Sequence, residues 1–293
     1  MKNVLMSGMV VFFIALLLQG CSSGGSAAPT PTAGSTATTT PSPTPASGGE
    51  GLLEKIKKAG VLKWGADANS GAPFVFKEND KNIGFEVEMM EKLAAHMGLK
   101  DELVQGQWEM LPNELDRKSC DIVVNGFEIN EERKAKYDFS DVYYEYEQQL
   151  AVRIEDKDKY QNLADLKGHK IGTLKDAEAN NVLKRAGFTD EQLVPLQDSD
   201  TPYKDLELKR TDAVVQENII TAYYAGKNPK LFLVPKTFAP GQYGIMVRKG
   251  NPELIQELNK AIALMKSNGE LAAIYKKWNM LSDIQKTIGI VEK

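Results

Sequence analysis

The chain has 293 residues, a formal net charge of −4 and 42% hydrophobic residues, which allows one large domain or two medium-sized ones. Acidic and basic residues are mixed along the chain without a basic stripe, so nucleic acid is excluded as an expected partner. There are two cysteines, Cys21 and Cys120, and Cys120 is predicted to be a lone buried thiol. His96 and His169 lie far apart in the sequence, and neither a metal site nor a nucleophile–histidine pair is predicted.

The N-terminus has the pattern of a secretory signal. Lys2 precedes an apolar block over residues 9–18, which is too short for a membrane-spanning helix of roughly 20 residues. The block fits the hydrophobic region of a signal peptide, and Gly20-Cys21 resembles a bacterial lipobox. Residues 1–21 are therefore expected to be a lipoprotein signal and lipobox, with acylated (palmitate-type) Cys21 anchoring the chain to the extracytoplasmic face of the cell membrane. The alternative is an ordinary signal peptide with an incidental cysteine.

Residues 22–50 are expected to form a linker. This segment consists of Ser, Thr, Pro, Gly and Ala with a single charge, Glu50. It cannot bury a core and is therefore predicted to be disordered. Its closely spaced prolines favour polyproline II, so we interpret it as a semi-rigid tether.

The next part of the chain alternates between strand and helix patterns. Helices are predicted over residues 52–59, 86–97 and 110–117, and strands over residues 61–66, 103–104 and 121–125. Gly60 and Gly98 end two of these helices. This alternation predicts an α/β domain with a largely parallel sheet.

A similar pattern then restarts. Strands are predicted over residues 170–173, 213–216 and 231–235, and helices over residues 177–186, 202–209 and 219–225. Residues 148–153 and 244–248 are extended and each stretch ends in Val-Arg, which favours a two-strand hinge between two lobes. We predict lobe 1 over residues 51–149 and 247–293, with its last two helices starting near Pro252 and Leu271, and lobe 2 over residues 150–246.

Residues 124–144 are the most informative stretch. An apolar run ends in Asn125-Gly126, a short acidic helix start carries Arg133, and an aromatic-rich segment follows. This pattern places backbone donors and a guanidinium together at the end of a buried strand. An arginine fork pairs with both oxygens of a carboxylate, so the stretch suits capture of a small carboxylate. The simpler interpretation is a strand, a turn and a solvated helix.

Several stretches, in this order, resemble the amino-acid-type (family 3) extracellular solute-binding proteins. They are Gly65-Ala-Asp-Ala68, Ala72-Pro-Phe74, Gly84-Phe-Glu-Val-Glu88, Trp108, Cys120-Asp-Ile-Val-Val-Asn-Gly126, Glu132-Arg133, Asp138-Phe-Ser-Asp-Val-Tyr-Tyr144, Leu163-Ala-Asp-Leu-Lys-Gly168, Lys170-Ile-Gly-Thr173, Thr211-Asp-Ala-Val-Val215, Tyr243-Gly-Ile-Met-Val-Arg-Lys-Gly250 and Asn268-Gly-Glu-Leu271. The resemblance implies an α/β, two-lobed type II periplasmic-binding-protein fold with a two-strand hinge and a ligand cleft between the lobes. It also implies a monomer that binds a small amino acid and delivers it to an ABC permease driven by a separate ATPase, without cofactor or catalysis.

The resemblance also implies the ligand-binding residues. Arg133 would hold the ligand's α-carboxylate, helped by backbone N–H groups near Gly126 and Glu128. A second carboxylate contact would come from the helix N-terminus at Ala177-Glu178, where free N–H groups favour an anion. Glu217 would bind the α-amino group.

Asp67 and Trp108 are expected to face the ligand from lobe 1. An aromatic ring such as that of Trp108 can pack on an aliphatic chain or hold a cation. Structural alternatives remain for three of the predicted site residues. Glu217 could cap the following helix, Trp108 could belong to the core, and Asp67 could be a turn residue.

Departures from the family pattern bear on the ligand. Glu128 replaces a hydroxyl residue, Asp176-Ala177-Glu178 replaces a Gly and two hydroxyl residues, and the usual aromatic residue before Pro73 is absent. If Glu128 and Glu178 point into the cleft, its carboxylates outnumber Arg133, and a cationic ligand would relieve them. This favours a basic amino acid. The alternative is that both glutamates turn outward.

Two other classes of protein share this fold. One comprises enzymes resembling cyclohexadienyl dehydratases, in which a cleft carboxylate acts as general acid. The other comprises ligand-sensing modules of membrane receptors. The predicted lipid anchor and tether favour a transport receptor over an enzyme, whereas the sequence does not separate transport from sensing.

Overall fold

The computed structural model describes residues 50–293 apart from residue 70. The predicted signal, the lipobox with Cys21 and nearly all of the predicted linker lie outside the described residues. The described residues belong to one compact unit. Within the described part, no helix combines the length and the apolar character that crossing a membrane requires.

The helices of the described part are short, and most lie close to the positions predicted from the sequence. They are α1 (Leu52–Ala59), α2 (Phe85–His96), α3 (Leu111–Asp116), α4 (Glu131–Lys136), α5 (Glu178–Arg185), α6 (Thr201–Glu207), α7 (Asn218–Tyr224), α8 (Pro252–Ser267), α9 (Glu270–Lys277) and α10 (Ile284–Thr287). Local interactions explain where α1 ends and where α4 begins. Gly60 closes α1 in the left-handed conformation, and the Asn130 side chain caps α4 by accepting a hydrogen bond from the Arg133 amide.

The strands form two large sheets and one small hairpin. They are β1 (Val61–Ala66), β2 (Phe76–Glu78), β3 (Lys81–Ile83), β4 (Lys100–Gln105), β5 (Ile122–Val123), β6 (Tyr137–Phe139), β7 (Tyr144–Arg153), β8 (Ile171–Leu174), β9 (Leu193–Leu196), β10 (Ala213–Glu217), β11 (Leu231–Leu233), β12 (Phe238–Tyr243) and β13 (Met246–Arg248). The first sheet has the order β4-β1-β5-β13-β6, and the second has the order β11-β7-β10-β8-β9 with β12 also on β7. The hairpin pairs β2 with β3.

Both large sheets are mixed, which corrects the prediction of a largely parallel sheet. Parallel pairs lie at β4-β1-β5 and at β10-β8-β9. The antiparallel strands follow a segment where the chain passes from one lobe to the other, or pair with a strand that does. They are β13 and β6 in the first sheet, and β7, β11 and β12 in the second. A chain that passes between the lobes returns in the opposite direction, and this reverses the local pairing.

The crossing strands bear on the lobe boundaries. β7 pairs with strands of the second sheet from Tyr144 to Arg153, whereas β13 pairs only in the first sheet. We therefore propose that lobe 2 starts near Tyr144 rather than at residue 150, with the return to lobe 1 close to the predicted residue 247.

Gly84 connects β3 to α2 and packs against the loop that precedes β2. Its φ is +136°, and a Cβ built on it would lie 1.9 Å from the Phe74 carbonyl oxygen. That oxygen accepts a hydrogen bond from the Glu86 amide at 3.1 Å, so the loop rests directly on the first turn of α2. The backbone approach requires a residue without a side chain.

Gly84→Ala is expected to lower the free energy of unfolding by about 3 kcal/mol, because it adds backbone strain and a steric clash. Urea denaturation measures this. Gly98→Ala is the matched control, since Gly98 also has a positive φ, +72°, but has open space at its Cβ. It should cost only about 1 kcal/mol. Equal losses in the two variants would contradict the steric argument.

Candidate functional site

The predicted site residues meet where strands of both sheets end. Asp67 directly follows β1, Gly126 lies shortly after β5, and Glu217 is the last residue of β10. Ligands of open α/β sheets bind in the crevice outside the carboxyl ends of the strands. The cleft between the two sheets is therefore the candidate site.

Asp67 organises the lobe 1 side of the cleft. Its carboxylate accepts hydrogen bonds from the Trp108 amide at 3.2 Å, the Asn69 amide at 2.9 Å and the Gln105 side chain at 3.1 Å. The Asp67 amide in turn donates to the Asn125 side chain at 2.9 Å. These bonds hold the loops after β1 and β5 together, and Asp67 thereby positions Trp108.

Trp108 lies on the cleft wall and is 9% exposed. Its indole N–H donates to the Asn125 carbonyl at 2.9 Å, and its ring stacks on Phe127 with centroids 4.8 Å apart. The residue lines both a wide cavity of about 730 Å³ between the lobes and a small inner cavity of about 20 Å³. Trp108 therefore lines the cleft, as predicted, and is also packed as a largely buried residue, as the alternative proposed.

Gly126 lies in the cleft, but its amide is engaged within the protein. The N–H donates to Glu86 Oε1 at 2.8 Å, and the Tyr143 hydroxyl donates to the same oxygen at 2.5 Å. Glu86 is fully buried, and burial raises its pKa to about 7 despite the hydrogen bonds from Tyr143 and Gly126. The Gly126 amide, one of the backbone groups near Gly126 and Glu128 that were predicted to help bind the carboxylate, is therefore already engaged in supporting the loop.

Glu86→Gln is expected to flatten the pH dependence of stability. The raised pKa of Glu86 means that its contribution is fully present below about pH 4.5 and is lost as the pH rises through about 7. Wild type should lose roughly 3 kcal/mol of unfolding free energy over this window from Glu86, whereas the variant retains an acceptor and avoids the loss. Urea denaturation at pH 5 and pH 8 measures the difference. Glu91→Gln, an exposed change in α2, is the control, and equal slopes in wild type and Glu86→Gln would contradict the expectation.

Arg133 and Glu128 form a buried ion pair in the cleft. The Arg133 guanidinium also donates to the Glu128 carbonyl at 3.1 Å and to the Asp176 carbonyl of lobe 2 at 3.2 Å. It lies 5.3 Å from the ring centroid of Trp108 and 5.0 Å from that of Phe127, in cation–π geometry. Burial raises the pKa of Glu128, but the Arg133 charge and the hydrogen bonds outweigh it and hold the pKa below its ordinary value.

The N-terminus of α5 points at Glu128. Glu128 Oε1 accepts a hydrogen bond from the Glu178 amide at 3.0 Å, and Ala177 is the buried residue that precedes the helix. The Glu178 side chain turns away, since it accepts hydrogen bonds from Asn130, Asn181 and Arg185. The two glutamates that were predicted to behave alike therefore differ: Glu128 points into the cleft, and Glu178 contributes only its backbone.

Glu217 lies on the opposite wall and is 3% exposed. Burial raises its pKa well above the ordinary value, and the nearby negative charge of Glu128 raises it further. Its Oε2 has no hydrogen-bond partner among the described residues. The small inner cavity beside it is lined by aromatic rings of Phe74, Trp108 and Tyr243. A carboxyl group within an aromatic wall suits an ammonium or guanidinium group.

The sequence-based reasoning missed three buried residues on the lobe 2 side. Tyr146 and Tyr243 stack with centroids 4.6 Å apart, and Gln148 lies directly opposite Glu217 in the sheet. The Gln148 amide atoms and the Tyr243 hydroxyl are buried without hydrogen-bond partners in the described region. Alternation in residues 144–148, which buries Tyr144, Tyr146 and Gln148, is the signal that could have identified this face.

The chain forms two α/β lobes that are connected by separate strands and that enclose a polar and aromatic cleft. This arrangement is typical of a solute-binding protein. The sequence model of bacterial extracellular solute-binding proteins, family 3, matches residues 62–281. The chain belongs to this family and has its two-lobed type II periplasmic-binding-protein fold. The predictions of family and fold class are confirmed, and the family is extracytoplasmic.

Relatives of known function bind amino acids. The L-cystine-binding protein TcyJ of Escherichia coli is 34% identical over 231 residues, which cover 78% of this chain and 86% of the relative. The arginine-binding extracellular protein ArtP of Bacillus subtilis is 31% identical over 232 residues, which cover 77% and 88%. The crystal structure of the ancestral amino acid-binding protein AncCDT-1, a precursor of cyclohexadienyl dehydratase, matches with a TM-score of 0.72 and 30% identity over 77% of this chain and 98% of that one.

Proposed function

We propose that this chain is the lipid-anchored substrate-binding protein of an amino-acid ABC importer, and that it binds its ligand in the interlobe cleft and delivers it to the permease. The observation that carries the proposal is two complementary groups buried in one cleft: the Arg133 guanidinium for a carboxylate and the Glu217 carboxyl group for an amine. Each group matches one end of an amino acid. The names of the relatives support the same ligand class.

A basic amino acid is the ligand we favour. Arg133 is the cation of the ion pair, whereas Glu128 and Glu217 both place carboxyl groups in the cleft. An additional positive charge on the ligand would offset the second carboxylate, and the aromatic walls suit a cationic side chain. Asp67 adds a further negative group nearby, although its observed contacts are to Gln105, Trp108 and Asn69.

A thermal-shift screen of residues 50–293 against the common amino acids and polyamines tests the ligand class. A ligand at 100 times its Kd adds about 2.7 kcal/mol of stability, so lysine, arginine or ornithine should raise the melting temperature in a concentration-dependent manner. A larger shift with a neutral or acidic amino acid would keep the importer class and overturn the basic ligand. No shift with any compound would overturn amino-acid binding.

We propose that the protein is a receptor without catalysis. The likeness to a precursor of cyclohexadienyl dehydratase and the raised pKa of Glu217 point to the reaction that has to be tested. Purified protein incubated with prephenate or arogenate should release no product, and turnover would assign Glu217 a general-acid role.

For the membrane anchor, Cys21→Ala should move the protein from the membrane fraction to the soluble extracytoplasmic fraction.

A further inference from the structure

The Glu128 carboxylate accepts hydrogen bonds from a set of donors that could bind any carboxylate. One oxygen pairs with Arg133 and the other accepts the Glu178 amide at the first turn of α5. The side chain is 2% exposed. A guanidinium and a helix N-terminus together form a favourable carboxylate site.

Arg133 is engaged at Nη1 and Nη2 while Glu128 stays in place. Besides the ion pair, its guanidinium donates to the Glu128 and Asp176 carbonyls at 3.1 Å and 3.2 Å. The inner cavity beside Glu217 has a volume of about 20 Å³, which is room for about one water molecule. Arg133 also lines the wide cavity between the lobes, but a ligand carboxylate can take both its Nη1 group and the Glu178 amide only if the Glu128 side chain moves.

We propose that Glu128 is an internal substitute for the ligand's carboxylate, and that its side chain must leave Arg133 and the α5 N-terminus when an amino acid binds. This inference rests on the proposed function. It makes Glu128 a specificity-determining residue, because each ligand competes with a tethered carboxylate. The displaced Glu128 leaves a negative charge in the cleft without its Arg133 partner, so a ligand with an extra positive charge displaces it at lower cost than a neutral one.

Chemical rescue tests the occupancy directly. In Glu128→Ala, the buried Arg133 and the α5 N-terminus lose their carboxylate, and free acetate can take its place. The full-length chain in detergent is titrated with sodium acetate or sodium chloride at equal ionic strength. Acetate should raise the melting temperature of Glu128→Ala by about 3 °C or more, and should leave wild type and Glu131→Ala, an exposed residue of α4, within about 1 °C. A shift in Glu128→Ala no larger than in wild type would overturn the proposal.

Ligand affinity provides a second arm, which also serves if Glu128→Ala folds poorly. Glu128→Gln keeps the size of the side chain but removes its charge and thereby weakens the internal competitor. Calorimetry should show that Glu128→Gln binds glutamine about tenfold tighter than wild type does, with a smaller gain for arginine, so that the preference for arginine over glutamine falls. An unchanged or weaker affinity for glutamine would contradict the proposal.

The two arms separate this inference from the proposed function. If acetate rescues Glu128→Ala but no amino acid binds any form, amino-acid binding fails and the carboxylate site stands. If amino acids bind wild type but neither arm responds, the proposed function stands and the role of Glu128 as an internal substitute is wrong.

Discussion

Arg133→Ala is expected to weaken binding of any α-amino acid by at least about 100-fold and to lower the free energy of unfolding by about 3–5 kcal/mol at neutral pH. The variant removes the proposed carboxylate contact. It also leaves Glu128 charged and buried without its ion-pair partner, and it opens the link from Arg133 to the Asp176 carbonyl in lobe 2. Isothermal titration calorimetry and urea denaturation measure the two effects.

Three further variants separate binding from folding in this experiment. Arg117→Ala removes an exposed arginine that pairs with Glu114, and it should change stability by less than about 0.5 kcal/mol. Arg133→Lys keeps the charge without the planar fork, and its affinity should be intermediate. The double change Arg133→Ala with Glu128→Ala should be more stable than Arg133→Ala alone, because no charge is orphaned. Unchanged ligand affinity in Arg133→Ala would show that Arg133 does not bind the carboxylate.

Glu217→Gln is expected to have opposite effects on binding and stability. It removes the negative partner proposed for the ligand amine and should weaken binding by about 100-fold. Stability should instead rise at pH 8, by about 1 kcal/mol. The pKa of Glu217 is raised by burial and by the charge of Glu128, so the wild type loses stability as the pH rises above about 4.5 and through that raised pKa. The amide variant has no proton to lose.

Urea denaturation at pH 5 and pH 8, together with calorimetry at pH 8, measures these effects. Glu257→Gln is the control, because Glu257 lies on α8 and pairs with the exposed Lys57 and Lys260. That variant should bind ligand as wild type does. A Glu217→Gln protein that keeps its affinity would remove Glu217 from the ligand site, and one that loses stability at pH 8 would show that its carboxylate is compensated in the fold.

Strong local signals made much of the fold predictable. The predicted bounds of α1 and β1 coincide with the observed Leu52–Ala59 and Val61–Ala66, because Gly60 terminates the helix and the strand after it is rich in buried residues. β9 and β12 were missed. Both contain proline, and β12 also contains Gly241; these residues are depleted in strands and conceal the pattern. Their pairing with β8 and β7 is a tertiary effect.

The candidate site was predictable in its residue types and less so in its geometry. Arg133 and Glu217 were identified as opposite charges, and the structure places both in the cleft. The sequence left open whether Glu128 and Glu178 face the ligand. Their directions depend in part on partners distant in sequence: the Glu178 amide for Glu128, and Asn130 for the Glu178 side chain.

The sequence by itself determined the family, the two-lobed α/β architecture and the chemical character of the cleft, because these depend on periodicity, on turn residues and on an ordered set of motifs. Only the tertiary structure decided that Glu128 pairs with Arg133, that Glu86 engages the Gly126 amide, and that Tyr146 stacks on Tyr243. The contacts of Glu86 and of Tyr146 join segments that meet only when the chain folds. Glu128 is close to Arg133 in sequence, but its carboxylate is also held by the Glu178 amide of a distant segment. A buried charge or donor takes the partner that folding brings within reach, and spacing along the chain does not specify that partner.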